Sequence, residues 1–193
     1  MDGLSPSAAP THIFLVGFSG SGKSCLAPLL AERLGCESHD TDTLVAERAG
    51  RSIGAIFAEQ GQAEFRRLER EIIFELCSDA RPMVVSLGGG AFVSAGNRRR
   101  IQAGGISIYL SCALRELYSR LSGRDDRPLL NVNTASSRSP QEALKNEIRR
   151  LYSARRNIYR LADLTVSTSA RTPNQVAEEV IRRLRRRYGN HLP

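Results

Sequence analysis

Gly17-Phe18-Ser19-Gly20-Ser21-Gly22-Lys23-Ser24 matches the pattern G-x-x-x-x-G-K-[ST]. The glycines let the backbone turn so that several N–H groups aim at one phosphate. The helix that follows adds the positive end of its dipole, Lys23 reaches the β/γ oxygens, and Ser24 offers a hydroxyl to Mg²⁺. The pattern requires a strand before it and a helix after it. His12 to Val16 is a short, mostly apolar run suited to a buried strand, and Lys23 to Leu34 reads as a helix that Gly35 closes. Of the 28 lysines and arginines only Lys23 and Lys145 are lysine, and one of them holds the required position. The stretch predicts a nucleotide site with Gly20, Ser21, Gly22, Lys23, Ser24 and Cys25 around the phosphates. It leaves the phosphoryl acceptor open.

Outward from the loop, strands and helices alternate. Cys36 to His39 reads as a second strand ending at Asp40-Thr41-Asp42. Helices follow near 43–49 and 52–60, with Gly50 and Gly61 at C-cap positions. From Gln62 to Ser78 the apolar residues Phe65, Leu68, Ile72, Ile73 and Leu76 recur at helical spacing. Pro82 breaks the chain, Met83 to Leu87 is a strand running into Gly88-Gly89-Gly90, and Gly105 to Leu110 is another. A helix over 113–121 leads to a charged, Gly-containing segment and then to a polar, turn-rich insert from Asn131 to Pro140. A long helix over 139–161, a strand over Leu164 to Ser167 and a last helix opened by Pro173 complete the chain. This order predicts an α/β domain of the P-loop NTPase type, in three layers with a five-stranded parallel sheet and helices on both faces. The expected single domain runs over 12–188, between a flexible leader at 1–11 and a tail at 189–193. Within it, a helical acceptor-binding region spans about 43–78 and a lid about 114–131.

Composition excludes other classes. At 193 residues, 41% hydrophobic and 25% charged, the chain can bury one sizeable core. No apolar run approaches the roughly 18 residues that span a membrane. The Ser/Ala/Pro-rich start lacks the basic and apolar regions of a secretory signal. Cys25, Cys36, Cys77 and Cys112 form no C-x-x-C pair, which argues against a zinc site or disulfide framework and fits a reducing cytoplasm. Net charge is +8, with a run at Arg182 to Arg187 that ends a helix and complements its dipole. The arginine excess admits either a solvated surface or an anionic ligand; clustered charge alone is weak evidence for nucleic acid.

Several further residues carry chemistry. Asp40 and Asp42, alternating at a strand end, would point to opposite sides, one to a metal and one to an acceptor hydroxyl; alternatively Asp42 is a helix N-cap. The glycines 88–90 let a ligand approach the backbone, and their N–H groups can bind a carboxylate or a γ-phosphate. No Asp follows that strand, so metal duty falls on Ser24 and Asp40. Glu69, three residues after Arg66, shares its helix face. Phe57 and Phe65 fit either an acceptor-pocket wall or the core.

Asp40-Thr41-Asp42, Phe65-Arg66-Arg67-Leu68-Glu69, Gly88-Gly89-Gly90, Arg127-Pro128-Leu129-Leu130 and Arg155 with Tyr159-Arg160 occur in that order. This ordered set resembles the shikimate kinase family over about 12–186. The resemblance implies ATP as cosubstrate, Mg²⁺ as cofactor, and transfer of the γ-phosphoryl group to the 3-hydroxyl of shikimate in aromatic amino-acid biosynthesis. It implies Asp40 on the Mg²⁺ shell, through water, and Asp42 on the acceptor hydroxyl as a proton acceptor. It gives Arg66 and Arg155 the acceptor's carboxylate, held in place by Glu69; spacing alone does not separate them from Arg67 and Arg156. Arg127 would close on the phosphates, and Arg120 and Arg171 would lie on the adenine side. The implied enzyme is a cytoplasmic monomer with no nucleic-acid or membrane partner. Two departures stand out. Cys25 replaces the family's usual Thr, and 167–173 resembles the adenine loop but lacks its common Asp and Asn. Competing readings are another small-molecule kinase of the same fold, acting on gluconate or a nucleotide, and a kinase-like ligand sensor or nucleic-acid-binding protein.

Overall fold

The computed structural model describes residues 12–122 and 139–189. Strands β1 (His12–Val16), β2 (Glu37–Asp40), β3 (Met83–Ser86), β4 (Gly105–Ser111) and β5 (Leu164–Ser167) form one sheet in the order β2-β3-β1-β4-β5. Every neighbouring pair is parallel. The connecting helices are α1 (Lys23–Leu34), α2 (Thr41–Ala49), α3 (Ile53–Glu59), α4 (Gly61–Ser78), α5 (Ala95–Gly104), α6 (Leu114–Leu121), α7 (Pro140–Tyr159) and α8 (Pro173–Tyr188).

Alternation along the strands divides the core into two layers. Ile13 and Leu15 of β1, Val84 of β3 and Ile106, Ile108 and Leu110 of β4 pack with α1 and α8. The intervening Phe14, Val16, Val85 and Tyr109 pack on the opposite face with side chains of α2 to α7. A strand buried on both sides reads as a continuous apolar run, and β1 is buried throughout. From β1 the chain builds one side of the sheet with β2 and β3, then the other with β4 and β5. The winding direction therefore reverses beside β1, at whose carboxyl end the Gly17–Ser24 loop lies. Ligands of open α/β sheets bind at such a point.

Two local expectations are corrected. Strand β2 ends at Asp40 and helix α2 begins at Thr41, so Asp40 and Asp42 do not alternate along a strand. The α2 cap is Asp40, whose Oδ1 accepts from the Asp42 amide at 2.9 Å, and Asp42 lies in the first helical turn. The C-cap of α3 is Gln60; Gly61 instead opens α4. Apolar periodicity assigns no element to 91–104, where the chain forms a 3-10 turn at Ala91–Val93 and then α5. That helix is mostly Arg, Gln and small residues, and it buries only Asn97 and Ile101. The leader, the tail beyond 189, most of the insert and the part of the lid containing Arg127 lie outside the described residues.

Candidate active site

The phosphate loop leaves β1 through Gly17, where φ is 149°. A Cβ there would stand 2.8 Å from both the Leu110 carbonyl and Ser21 Oγ, so only glycine fits. Gly22 caps α1 in a left-handed conformation, which turns the helix amino terminus toward the loop. Lys23 is 7% exposed, and its ammonium donates to the carbonyls of Gly17 at 2.9 Å and Phe18 at 3.0 Å. Ser21 Oγ is buried with no hydrogen-bond partner among the described residues.

A second group of atoms closes beside Ser24. Asp40 Oδ2 accepts from Ser24 Oγ at 2.7 Å and from Ser86 Oγ at 2.8 Å. Asp40 and Ser86 are register partners on adjacent strands. The missing Asp at the end of β3 is therefore replaced by a hydroxyl there and a carboxylate from the next strand over. Ser86 was not singled out in the sequence; its signal is one hydroxyl ending the otherwise apolar run Met83-Val84-Val85. Two hydroxyls and one carboxylate are hard oxygen ligands, the chemistry that suits Mg²⁺ held together with substrate phosphates. Among the described residues no cluster of three or more His, Cys, Asp or Glu competes as a metal site.

These groups open onto a cavity of about 360 Å³. Of the expected residues, Gly20, Ser21, Gly22, Lys23, Ser24, Cys25, Asp40, Asp42, Gly89, Arg120 and Arg171 line it. Arg120 donates to the Gly20 carbonyl at 3.2 Å while pairing with Glu116 at 3.0 Å. Thr168, Pro173 and Val176, from the divergent segment after β5 and the start of α8, form the far wall with Arg171.

Arg66, Gly88, Gly90 and Arg155 do not line this cavity. They gather beyond Asp42 and Gly89, around a buried acid. Glu69 is 1% exposed and accepts from Arg66 Nη1 at 2.7 Å and 2.6 Å. Burial pushes its carboxyl above the ordinary value; Arg66 and Arg155 oppose that rise and Asp42 adds to it. The three charged neighbours place Asp42, Arg66 and Arg155 around one point. Asp42 Oδ1 would lie 2.5 Å, and Glu69 Oε1 3.1 Å, from a Cβ on Gly88, and the Arg66 guanidinium lies over the Cα of Gly90. Side chains at 88 or 90 would fill the space these groups occupy. Thr41, between the two aspartates and fully buried, accepts the Gly88 amide at 2.8 Å, a tie that the sequence did not reveal.

Neighbouring arginines separate by environment. Arg67 is exposed and engaged by Glu64 and Glu71, whereas Arg66 turns inward. Arg156 is exposed; Arg155 is half-buried and acts on Glu69 and on Tyr159. Phe65 is buried, its ring 4.9 Å from that of Phe57, with the Arg66 guanidinium 5.1 Å above it.

A phosphate loop at the reversal point of a parallel sheet, with a hydroxyl–carboxylate cluster and an arginine- and glycine-lined region beside it, has the build of a P-loop small-molecule kinase. A family model described as shikimate kinase matches residues 19–185. A shikimate kinase from Chlorobium chlorochromatii is 41% identical over 177 residues, covering 92% of each chain. One from Persephonella marina is 37% identical over 174 residues, covering 90% of this chain and 99% of the relative. The chain belongs to the shikimate kinase family. A solved structure, shikimate kinase from Acinetobacter baumannii in complex with shikimate, superposes with a TM-score of 0.84 at 29% identity, covering 93% of this chain and 96% of that one. A gluconokinase from Sinorhizobium meliloti reaches a TM-score of 0.53 at 18% identity and shares the fold alone.

Proposed function

We propose that the chain is an ATP-dependent shikimate kinase, transferring the γ-phosphoryl group of ATP to the 3-hydroxyl of shikimate to yield shikimate 3-phosphate and ADP. The observation that carries this reading is the gathering of Asp42, Arg66, Glu69 and the glycines 88–90 directly beside the phosphate loop. A small carboxylic acid with hydroxyl groups fits that chemistry. A guanidinium can hold a carboxylate through two parallel bonds, backbone amides add donors, and the Asp42 carboxylate can accept from a hydroxyl. Membership of the family supports the same acceptor.

In this reading the acceptor's carboxylate pairs with Arg66 and Arg155, and Glu69 fixes the Arg66 guanidinium. Positioning of this kind supplies much of the catalysis in phosphoryl transfer, which asks little covalent chemistry of the protein. Asp42 accepts or relays the proton of the attacking hydroxyl as the new O–P bond forms and the bond to the β-phosphate breaks. The loop amides of 20–24 and Lys23 hold the phosphates and take up their charge. Ser24, Asp40 and Ser86 would hold Mg²⁺, Asp40 through water; bound there, the ion would neutralise the β- and γ-phosphate oxygens. Arg127, outside the described residues, takes from the family resemblance the role of stabilising charge on the transferring group. Arg120, Cys25 and Arg171 line the nucleotide side.

ADP release with Mg²⁺-ATP and a panel of shikimate, quinate, gluconate and AMP tests the reading. Turnover dependent on shikimate and lost in Asp42→Asn is the expected result. Turnover with gluconate or AMP alone would replace the acceptor, and nucleotide binding with no turnover on any of them would make the protein a ligand sensor.

A further inference from the structure

The hydroxyl of Tyr159 lies between α7 and the triple glycine, and none of the roles above uses it. Its ring is 1% exposed and lies 5.4 Å from that of Tyr109. The hydroxyl donates to the carbonyl of Gly89. Arg155, one helical turn earlier, acts on the same hydroxyl electrostatically, opposing the upward push of burial. A phenol has one proton to donate, and here it goes to the Gly89 carbonyl; a cation nearby makes the phenol a stronger donor.

The carbonyl of residue 89 and the N–H of residue 90 belong to one planar trans peptide and point in opposite directions. Holding the oxygen therefore aims the Gly90 N–H. With glycine on both sides, this peptide has little torsional restraint of its own. Its surroundings are tied down: the Gly88 amide goes to Thr41, the Ala91 amide to the Gly88 carbonyl and the Val93 amide to the Gly90 carbonyl. The Gly89 and Gly90 amides have no partner among the described residues. Ser19 of the phosphate loop faces the Cα of Gly89, and the Arg66 guanidinium covers that of Gly90.

We propose that Tyr159 is a positioning residue for the acceptor: by bonding the Gly89 carbonyl it holds the Gly89–Gly90 peptide with the Gly90 N–H aimed at the acceptor beside Arg66. The proposal rests on the kinase reading above. It also assigns the two ends of α7 residues 155–159 a joint task, with Arg155 meeting the acceptor and Tyr159 fixing the backbone opposite it.

Tyr159→Phe keeps the ring and removes only the donor; Tyr109→Phe removes a neighbouring hydroxyl and leaves the Gly89 bond in place. The expected result for Tyr159→Phe is a KM for shikimate raised about fivefold to tenfold, with an unchanged KM for ATP. Tyr109→Phe should leave the shikimate KM as it is. Equal rises in both KM values, or a rise in neither, would overturn the proposal. A fluorinated tyrosine placed at 159 gives a second reading should phenylalanine not fold. With enough ring fluorines to offset the upward push of burial, its hydroxyl loses its proton within the assay range, and a phenolate cannot donate. Charged and titratable groups facing it are Arg66 from α4, Arg155 and Tyr152 from α7 and Tyr109 from β4. The native hydroxyl, pushed up to about 12 chiefly by burial with Arg155 opposing, stays protonated there. The fluorinated protein should show a shikimate KM that rises with pH where the native one is flat, and a flat profile would overturn the proposal. Native protein that turns over shikimate while both variants behave as native removes only the role of Tyr159. Native protein with no shikimate turnover removes the kinase reading itself.

Discussion

Asp40 performs two structural tasks with one carboxylate. Oδ1 caps α2, and Oδ2 gathers the hydroxyls of Ser24 and Ser86. Ser86→Ala leaves the cap intact and removes one of the oxygens proposed to hold Mg²⁺, so the Mg²⁺ concentration for half-maximal activity should rise by about tenfold or more, read from an Mg²⁺ titration at fixed ATP. Asp42→Asn keeps the shape and removes the carboxylate proposed as the base; kcat should fall by about 10²–10³, roughly 3–4 kcal/mol in the barrier, with the fold unchanged by circular dichroism. Glu69 behaves differently because it is buried. Its carboxyl is raised above the ordinary 4.5, so the folded state holds that proton more tightly than the unfolded chain does. The stability this contributes is complete below 4.5 and is lost as pH rises through the folded value. Glu69→Gln does not titrate. Its stability relative to the native protein should therefore increase with pH from about 4.5 upward, measured by denaturant midpoints, while its shikimate KM rises because Arg66 loses its anchor.

Helix α4 shows why an amphipathic element can carry a site. Phe65, Leu68, Ile72, Ile73 and Leu76 bury its apolar face, and Glu69 lies on the same face next to Leu68. The helix is held by packing, and Glu69 and Arg66 ride on it toward the glycines. Helix α1 contains Pro28, exposed in its interior, which removes one backbone donor and presses its ring against the turn that begins at Ser24. Pro28→Ala should raise the thermal midpoint, the intrinsic helix preference being up to about 3 kcal/mol in favour of alanine. An unchanged or lower midpoint would mean that the surrounding structure accommodates the proline fully. At the other side of the sheet, β5 is an edge strand. Arg183 donates to the Thr165 carbonyl at 2.8 Å, and Arg187 to the Asp163 carbonyl at 2.9 Å. The basic run of α8 thus occupies acceptors that an exposed edge would offer to another chain, besides complementing its helix dipole. Arg183→Ala combined with Arg187→Ala should increase self-association, followed by light scattering at rising concentration.

At the scale of the molecule, the two apolar layers hold the strand ends in one row, and the site lies along that row. A nucleotide bound only by the folded state should stabilise it: ADP at a hundredfold its Kd adds about 2.7 kcal/mol. For a chain of this size that is a rise of about 5–10 °C in the thermal midpoint, and Lys23→Ala should abolish most of it. Among the described residues no helix is long and apolar enough to cross a membrane. Much of this architecture was legible beforehand. The phosphate loop is contiguous, and its function needs only backbone turns and one following helix, so eight residues specify it. Strand and helix positions followed from apolar periodicity, except over 91–104, where α5 is mostly polar and little of it is buried. Other features belong to tertiary structure. Ser86 stands beside Asp40 because β3 was inserted between β1 and β2, and periodicity does not encode strand order. Arg66 differs from Arg67, and Arg155 from Arg156, because helix rotation is decided by which face the sheet covers. The bonds from Thr41 to Gly88 and from Tyr159 to Gly89 join residues 47 and 70 positions apart. Contacts between neighbours in the chain follow from local geometry and could be read from the residues themselves; contacts between distant ones exist only once burial of both sheet faces has brought their elements together.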